Sequence, residues 1–223
     1  MQASDVHADE RTNGPLSKKG ARTRERLLEA AKKVFEANGF LDARISDIAE
    51  AAGLSHGSFY YYFDSKEQIF RGVAEAVDAE LGAPLDDVIL GSESSVPPQD
   101  RLREAIRRYF ESYRDEAGIM GVIEQVSRYD DHVHALRVEQ HRRYRAKVAE
   151  SIQQLQRHRL ADPELDPGLV AAAMGALTDR FAEMWLVQGI VDCTLEEAVD
   201  QVSRMFVNML GLGGNRRGVR TPR

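Results

Sequence analysis

The sequence predicts an all-α fold of about nine helices. Apolar residues recur at the spacing of a buried helix face in almost every long segment of the chain. Helix start signals precede several of these segments, among them S-x-x-Q at Ser65 and T-x-x-E at Thr194. The period-two alternation of a half-buried strand is nearly absent, so we expect no sheet.

The first quarter of the chain predicts three helices. The first ends at Asn38 and Gly39, because this pair is typical of a left-handed helix C-cap. The next two are short and are separated by a turn at Gly53, which can take the positive φ of a sharp turn. Ser55 is expected to cap the third helix by accepting a backbone N–H. The three predicted helices span residues 19–38, 46–52 and 55–63.

Six further helices are predicted downstream. Asp166 followed by Pro167 indicates a helix start, since proline favours the first helical position. Residues 91–99, which are rich in Ser and Pro, indicate a loop. The six predicted helices span residues 65–81, 101–114, 119–126, 131–159, 167–188 and 195–210.

Charge is distributed unevenly along the chain. The net charge is −6, yet residues 17–33 carry seven basic side chains against two acidic ones. A basic end on an acidic body indicates that this end meets a polyanion. The expected organisation, in chain order, is a disordered arm over 1–16, a helix-turn-helix domain over 17–64, a larger helical domain over 65–211 and a disordered tail over 212–223.

Composition favours a cytoplasmic protein without a membrane partner. Apolar residues make up 43% of the chain, enough for a core, but no run approaches the roughly 18 apolar residues of a membrane span. The N-terminal stretch lacks the apolar segment of a signal peptide. Cys193 is the single cysteine, so we expect no intrachain disulfide and a reducing compartment.

The stretch GLSHGSFYYYF, residues 53–63, has two interpretations. Its first five letters fit G-x-S-x-G, the nucleophile elbow of α/β-hydrolases, with Ser55 as the nucleophile. That motif requires a β-strand immediately before the serine, whereas the preceding IAEAA consists of helix formers. The same letters fit the turn and second helix of a DNA-binding helix-turn-helix. The second interpretation is favoured, and no catalytic residue is predicted.

The helix-turn-helix interpretation divides the third helix between two faces. Phe59 and Phe63 are one turn apart and are expected to point inward. His56, Tyr60 and Tyr61 then point outward, which is unusual on a merely solvated helix. In a major groove, tyrosine hydroxyls reach phosphates and the rings contact thymine methyl groups. The alternative is that these tyrosines pack against a neighbouring helix.

Residues 24–70 resemble the DNA-binding domain of the TetR family of bacterial repressors. The resemblance is specific, because it combines an upstream helix, the turn and a downstream lysine. The rest of the chain is similar to the family only in its layout. The residues that carry the resemblance are 35–40 (FEANGF), 48–55 (IAEAAGLS), Gly57, 59–60, Phe63 and 65–66.

The resemblance implies a homodimer that binds double-stranded operator DNA. Each subunit is expected to have a three-helix DNA-binding domain and a larger helical domain, which binds a small effector and dimerises through its last two helices. Residues that match base-contacting positions are His56, Gly57 and Tyr60, and those that match phosphate-contacting positions are Ser58, Tyr61, Tyr62 and Lys66.

This sequence departs from the family pattern at two positions. The family usually caps its second helix with threonine, where Arg44 or Ile45 stands here. Either Ser46 caps that helix, or Arg44 holds a phosphate through its guanidinium. Tyr62 replaces a more usual histidine, and its hydroxyl can still bond a phosphate. Ser55, the cap of the recognition helix, completes the predicted DNA-binding residues.

The candidate dimer interface consists of residues 166–188 and 194–210. The first segment is rich in small residues, and the second has an apolar stripe. Two such hairpins can form a four-helix bundle across a two-fold axis. The alternative is that the stripe is only monomer core. Its members are Val199, Val202, Met205, Phe206 and Met209.

Aromatic, methionine and aliphatic side chains of the larger domain form the candidate effector site. Met-rich walls adapt to apolar ligands, and the resemblance places the effector here. We therefore expect a lipophilic or amphipathic effector, such as an acyl-CoA, a sterol-like metabolite or a xenobiotic, although the same residues also suit a plain core. The candidates are Tyr109, Tyr113, Met120, Ile123, Val126, Leu177, Phe181, Met184 and Trp185. The candidate polar anchors are Arg108, Glu124, His134 and Asp179.

No metal or cofactor is predicted. His132 and His134 lie two residues apart and face away from each other on a helix. The basic residues of the same helix, among them Arg137, are expected to form a solvated face, with a mouth for an anionic ligand as the alternative. The overall prediction is an effector-responsive transcriptional repressor. Its alternative is a small-molecule-binding or catalytic helical protein with a vestigial DNA-binding end.

Overall fold

The structure, a computed structural model, describes residues 17–89 and 95–212. Within these ranges it contains α-helices, one π-helical turn and no strand, so the all-α prediction is confirmed. The predicted arm and nearly all of the predicted tail lie outside the described residues. The helices are α1 Lys18–Asp42, α2 Ile45–Ala51, α3 His56–Phe59, α4 Lys66–Ile89, α5 Pro98–Asp115, α6 Ala117–Val126, α7 Asp131–Arg157, α8 Pro167–Ala182, which the π-helical turn Glu183–Val187 extends, and α9 Leu195–Leu210.

α8 and α9 begin where the sequence signals a start, whereas α5 begins at Pro98, inside the predicted loop 91–99. Thr194 accepts a hydrogen bond from the Glu197 N–H, and the Glu197 carboxylate accepts one from the Thr194 N–H, which makes a complete capping box. Asp166 caps α8 through the Leu169 N–H, with Pro167 at the first helical position. These bonds satisfy N–H groups that have no partner inside their own helix.

The predicted ends of α3 and α4 are wrong, whereas α1 continues to Asp42 across a kink at Gly39, whose φ of 71° is the positive value that the predicted cap requires. α3 stops at Phe59 rather than at Phe63, because the chain turns there and the N–H groups of Tyr62 and Phe63 both bond to the Phe59 carbonyl. α4 continues to Ile89 instead of ending near Leu81. Local helix propensity is a weak signal beside tertiary packing, and α4 packs along α1, α5 and α7.

The N-terminal helices pack around an aromatic cluster. The Phe70 ring of α4 lies 4.9 Å from both Phe35 and Phe40, at a steep angle to each. Gly72 of α4 lies so close to α1 that a β-carbon there would come within 2.9 Å of the Leu28 side chain. This close packing gives α2 and α3 a rigid support.

The larger domain buries most of the predicted dimer stripe. α5 packs on both α4 and α9, and α7 packs along α8. Val199, Val202 and Phe206 are buried in the core of the chain itself, whereas Met205 and Met209 are 47% and 37% exposed. The stripe therefore divides: three of its members form monomer core, as the alternative held, and two lie on the surface.

Candidate DNA-binding surface and ligand cavities

Local contacts build the turn between α2 and α3. Gly53 has a φ of 66°, in the left-handed region that a glycine adopts without strain. The Arg26 guanidinium of α1 donates to the Ala52 carbonyl, so the long helix braces the turn. Ser55 accepts the Ser58 N–H at 3.2 Å and caps α3. Ser55 is thus a helix cap. A nucleophile elbow requires a β-strand immediately before the serine, and the described residues before Ser55 contain none.

α3 and the turn after it present one buried and one exposed face. Phe59 and Phe63 are buried with their rings 5.9 Å apart, so the prediction that they point inward is confirmed. Tyr60 and Tyr61 are 45% and 75% exposed. The ring of exposed His56 lies edge-on against Tyr60, with 5.2 Å between centroids. The predicted outward face exists, and the alternative in which Tyr60 and Tyr61 pack against a neighbouring helix is wrong.

Gly57 opens the middle of this face. A β-carbon at Gly57 would have no heavy atom of the protein within 4 Å, so packing does not require a glycine there. Ser58 and Tyr62 are half-buried beside it. We define the α3 surface as the exposed and half-buried residues of α3 and of the positions that flank it, which are Ser55, His56, Gly57, Ser58, Tyr60, Tyr61 and Tyr62.

Lys66 has a structural role that the sequence did not indicate. Its ammonium donates to the carbonyls of Phe40, Leu41 and Ala43 at 2.7, 3.0 and 2.9 Å. Because an ammonium has three N–H donors, all of them are used inside the protein. The structure therefore contradicts the expected phosphate contact: Lys66 ties the start of α4 to the end of α1.

α2 begins without a side-chain cap. Its N-cap residue is Arg44, which makes no capping hydrogen bond. Ser46 lies inside the helix, where its hydroxyl donates to Asp47. The expectation that Ser46 caps this helix is wrong, because the helix already begins at Ile45. The guanidinium of Arg44 belongs to an exposed residue and is accessible from solvent.

A cavity of about 450 Å³, the larger cavity, lies in the C-terminal domain. This volume falls within the range of small-molecule sites. Its wall is mostly apolar and comes mainly from α5, α7, α8 and α9. The principal lining residues are Leu102, Ala105, Ile106, Tyr109, Tyr144, Val148, Ile152, Leu155, Met174, Thr178, Phe206 and Leu210.

A second cavity of about 330 Å³, the smaller cavity, adjoins the first. Tyr109, Tyr144 and Thr178 line both cavities. The rest of the smaller cavity is markedly more charged. Its ionisable lining residues are Asp78 from α4, Arg137, His141, Arg143 and Lys147 from α7, and Asp179 from α8.

Of the nine predicted effector residues, Tyr109 lines these cavities and the other eight line neither. Phe181 and Trp185 instead pack against Phe110, with ring centroids 5.7 Å away in each case. Aromatic and Met side chains at helical spacing occur in any core, so they do not distinguish a packed centre from a hollow one. The eight are Tyr113, Met120, Ile123, Val126, Leu177, Phe181, Met184 and Trp185.

Sequence reasoning missed the contribution of α7 to the larger cavity. Tyr144, Val148, Ile152 and Leu155 recur at helical spacing and form the cavity face of that helix. The stripe is visible in the sequence, but charged residues surround it and suggest a solvated helix. An apolar stripe on an otherwise charged helix was the available signal.

Tyr109, His141 and Asp179 form a hydrogen-bonded network on the shared wall. The Tyr109 hydroxyl donates to one oxygen of Asp179, and His141 Nδ1 lies 3.1 Å from the other. Burial acts to raise the pKa of Asp179, but the bonds from His141 and Tyr109 outweigh it and hold this pKa below the ordinary 3.8. Burial, reinforced by the charge of Asp179, raises the pKa of Tyr109 well above 10. Asp179 is therefore ionised and Tyr109 neutral at neutral pH.

Arg137 does not belong to a solvated face, so that expectation is wrong. Its side chain is 14% exposed and donates to Glu124 of α6 and to Gln140. Arg142 and Arg145 of the same helix are exposed, as expected. The Arg137–Glu124 pair joins the wall of the smaller cavity to α6.

α6 also contacts the N-terminal helices. Lys32 of α1 and Glu116, the residue before α6, form an ion pair at 2.6 Å. Gly118, in the first turn of α6, lies against the side chain of Glu36, since a β-carbon there would be 3.4 Å from it. One short helix therefore connects α1 at its start with the cavity wall at its end.

The four candidate polar anchors are dispersed. Asp179 lines the smaller cavity, whereas Arg108, Glu124 and His134 line neither cavity. Among the described residues, no group of three or more His, Cys, Asp and Glu side chains is placed to hold a metal ion. Within 17–89 and 95–212, the helices lack the combined length and apolar character that crossing a membrane requires.

Comparison with known proteins gives matches over both domains. The family model described as bacterial regulatory proteins, tetR family, matches residues 27–73. The model described as BetI-type transcriptional repressor, C-terminal, matches residues 98–211. The HTH-type transcriptional regulator YdgC of Bacillus subtilis (strain 168) is 26% identical over 205 residues, which cover 91% of this chain and 100% of YdgC.

Solved structures share the fold. A TetR-family transcriptional regulator from Mesorhizobium loti has a TM-score of 0.74 at 20% identity, over 87% of this chain and 98% of that one. A transcriptional regulator from Saccharomonospora viridis, in complex with choline, has a TM-score of 0.65 at 22% identity, over 84% of this chain and 96% of that one. At such identities the likeness establishes the fold alone.

Proposed function

We propose that this chain is a repressor that a lipophilic or amphipathic small molecule releases from its operator. The chain belongs to the TetR family of bacterial regulatory proteins, and it is a DNA-binding transcriptional regulator rather than an enzyme. The observation that carries the proposal is the presence, in one chain, of the exposed α3 surface and of a largely apolar cavity of about 450 Å³. The first suits a DNA groove, and the second suits a small ligand.

The α3 surface enters the major groove of the operator. His56 and Tyr60 meet base edges, and Gly57 lets the backbone approach the DNA closely. The residues that meet phosphates are Arg44, Ser58, Tyr61 and Tyr62. Ser46 and Lys66 take no direct part, because the first is bonded to Asp47 and the second to three backbone carbonyls.

The repressor acts as a homodimer through α8 and α9. Leu169 of α8 is 74% exposed, and Met205 and Met209 of α9 are 47% and 37% exposed, so each of the two helices has apolar side chains that an interface would cover. A two-fold dimer presents its recognition helices to successive major grooves, roughly 34–36 Å apart on B-form DNA.

The effector binds in the larger cavity, and its binding favours a different separation of the two recognition helices. Candidate effectors remain an acyl-CoA, a sterol-like metabolite or a xenobiotic, since the wall is mostly apolar. The related regulator from Saccharomonospora viridis binds choline, which adds a small cation to the compounds to be tested.

DNA binding is tested by fluorescence anisotropy on the DNA upstream of the coding region of the chain. The double change Tyr60→Ala and Tyr61→Ala should weaken specific binding by about tenfold or more, because both exposed rings are lost. Tyr129→Ala removes a tyrosine of similar exposure, 55%, in the larger domain and should leave affinity unchanged. All three proteins should unfold at similar temperatures.

Equal operator affinity of the double variant and the native chain would rule out the α3 surface as the DNA contact. Release is tested separately by adding compounds that raise the melting temperature of the protein. If none of these compounds changes operator affinity at saturation, the repressor is not ligand-released.

A further inference from the structure

The larger cavity is elongated. Its lining residues on α5 recur at helical spacing from Pro98 to Tyr109, and those on α7 recur from Tyr144 to His158. At a rise of about 1.5 Å per residue, these two stripes are roughly 16 and 21 Å long. Tyr109 ends the first stripe and Tyr144 begins the second, and both residues also line the smaller cavity. The two stripes therefore run in opposite directions along one long space.

The two ends of this space differ in exposure. Tyr109 and Val148, toward one end, are buried. Val96, His158 and Leu160, which line the other end, are exposed. We call these the buried end and the open end of the larger cavity. A ligand therefore enters between the start of α5 and the end of α7.

The hydroxyl groups in the inner part of the cavity already donate within the protein. The Tyr109 hydroxyl donates to Asp179, and the Thr178 hydroxyl donates to the Met174 carbonyl at 2.8 Å. The Ser151 hydroxyl, farther along α7, donates to a backbone carbonyl of its own helix at 3.1 Å. A polar group placed among them would lose its bonds to water and find these donors in use, whereas an apolar group has no such bonds to lose.

We propose that the effector is a single-tailed amphiphile, whose long alkyl tail fills the larger cavity from the open end and whose polar head stays in solvent beside His158. This inference rests on the proposed function, since it names the class of effector and its orientation. An extended alkyl chain with carbon–carbon bonds of about 1.5 Å advances roughly 1.25 Å per carbon, so the two stripes match a tail of about 13 to 17 carbons.

Such a site distinguishes ligands by the length of the tail. Each methylene that enters the cavity strengthens binding by about fourfold, whichever head the molecule carries. The head contributes little, because it keeps its contacts with water.

Tail length is tested with octyl, decyl and dodecyl β-maltoside, which share a bulky, uncharged and strongly hydrated head. Binding to the protein without DNA is measured by calorimetry below the micelle concentration of each probe. Affinity should rise by at least about 30-fold from octyl to dodecyl, because four more methylenes are buried. A smaller rise, or no binding of dodecyl maltoside, would overturn the proposal.

A block halfway along the cavity tests the path of the tail. Ala105 lies about 10 Å along α5 from Pro98, which is the reach of roughly eight carbons. Ala105→Phe should therefore lower the affinity for dodecyl maltoside about tenfold or more while leaving octyl maltoside within about twofold, and retained octyl binding shows that the variant is folded. Ala146→Phe, which adds the same ring to an exposed position of α7 outside both cavity walls, is the matched control.

Equal effects of Ala105→Phe on the two probes, or no effect on either, would show that the tail does not pass Ala105. If the melting temperature shows that Ala105→Phe does not fold, Ala105→Leu replaces it with the same expected pattern and a smaller loss.

Orientation is tested with two probes that differ only in the head. Dodecan-1-ol and dodecyl maltoside should bind within about fivefold of each other, because both heads stay outside. The opposite orientation brings a small head to the buried end, where Tyr144 carries a further hydroxyl. Tyr144→Phe should therefore leave both affinities within about twofold. A larger preference for the alcohol, or a larger loss of alcohol binding in Tyr144→Phe, would place the head inside.

Failure of this inference is distinguishable from failure of the proposed function. If the maltosides bind as expected but leave operator affinity unchanged at saturation, the tail site stands and ligand release does not. If another compound releases the operator while affinity for the maltosides does not depend on tail length, the proposed function stands and the assignment of a single-tailed amphiphile is wrong.

Discussion

Lys32 of the DNA-binding domain and Glu116 of the larger domain are joined by an ion pair of 2.6 Å. The pair is partly shielded, with 29% and 14% of the two side chains exposed. It stands at the start of α6, and the Arg137–Glu124 pair stands near the end of the same helix. α6 therefore links the wall of the smaller cavity to α1 through two ion pairs.

Glu116→Gln should reduce the effect of the ligand on operator affinity. The change removes the charge that holds Lys32, so α6 and α1 move less tightly together, and the coupling free energy should fall by about 0.5–2 kcal/mol. The measurement is the ratio of operator affinities with and without a releasing compound. Glu139→Gln, which breaks an exposed pair with Arg142 inside α7, is the control. An unchanged ratio in Glu116→Gln would show that this pair transmits nothing.

Gly57→Ala should separate stability from DNA binding. The protein leaves open space for the added methyl group, and alanine loses less backbone entropy on folding than glycine, so the free energy of unfolding should stay equal or rise by up to about 1 kcal/mol. Operator affinity should fall, because the methyl group stands between the backbone and the groove. Gly82→Ala in α4, also without a close neighbour, should leave affinity unchanged. Full operator affinity in Gly57→Ala would remove Gly57 from the interface.

Lys66→Met should lower the melting temperature. Three carbonyls at the end of α1 lose their donor, which should cost about 1–3 kcal/mol of unfolding free energy. Lys33→Met removes an exposed lysine of α1 and should have little effect. The opposite pattern, an unchanged melting temperature with a smaller salt dependence of DNA binding, is what a phosphate contact predicts.

Asp179→Asn should destabilise the protein at pH 5 but not in strong acid. The pKa of Asp179 lies below 3.8 in the folded chain, so the unfolded chain binds the proton more readily and the native carboxylate adds stability above that pH. The difference in unfolding free energy from the native chain, about 1–3 kcal/mol at pH 5, should shrink as the pH falls through 3.8 and below. Chemical denaturation across this range measures it. A difference that persists undiminished through strong acid would mean that the carboxylate charge contributes nothing.

The α3 surface was predictable from a short stretch of sequence. Phe59 and Phe63 are one helical turn apart, and burying both leaves His56, Tyr60 and Tyr61 on the other side. Neither the early end of α3 nor the turn that follows it disturbs this division. The reason is that the division between buried and exposed side chains involves residues only a few positions apart, and the local backbone geometry sets the directions of their side chains.

The cavity and the roles of single charges were not predictable in the same way. The apolar residues of α7 and those of α8 look alike in sequence, yet the first line a cavity and several of the second fill a core. The sequence predicts a phosphate contact for Lys66 and a solvated side chain for Arg137, but each is bonded inside the protein. Their partners, Phe40 and Glu124, lie in other helices, so no local pattern identifies them.

By itself the sequence determined the helical class, the starts of the capped helices α3, α8 and α9, and which of residues 56–63 are buried or exposed, because these depend on local hydrogen bonds and on the period of the helix. Only the tertiary structure decided where apolar stripes meet to form solid core and where they leave space, and which carbonyls or carboxylates each buried cation reaches. Both depend on how closely helices distant in the chain approach one another, and that distance is a property of the whole packing rather than of any segment.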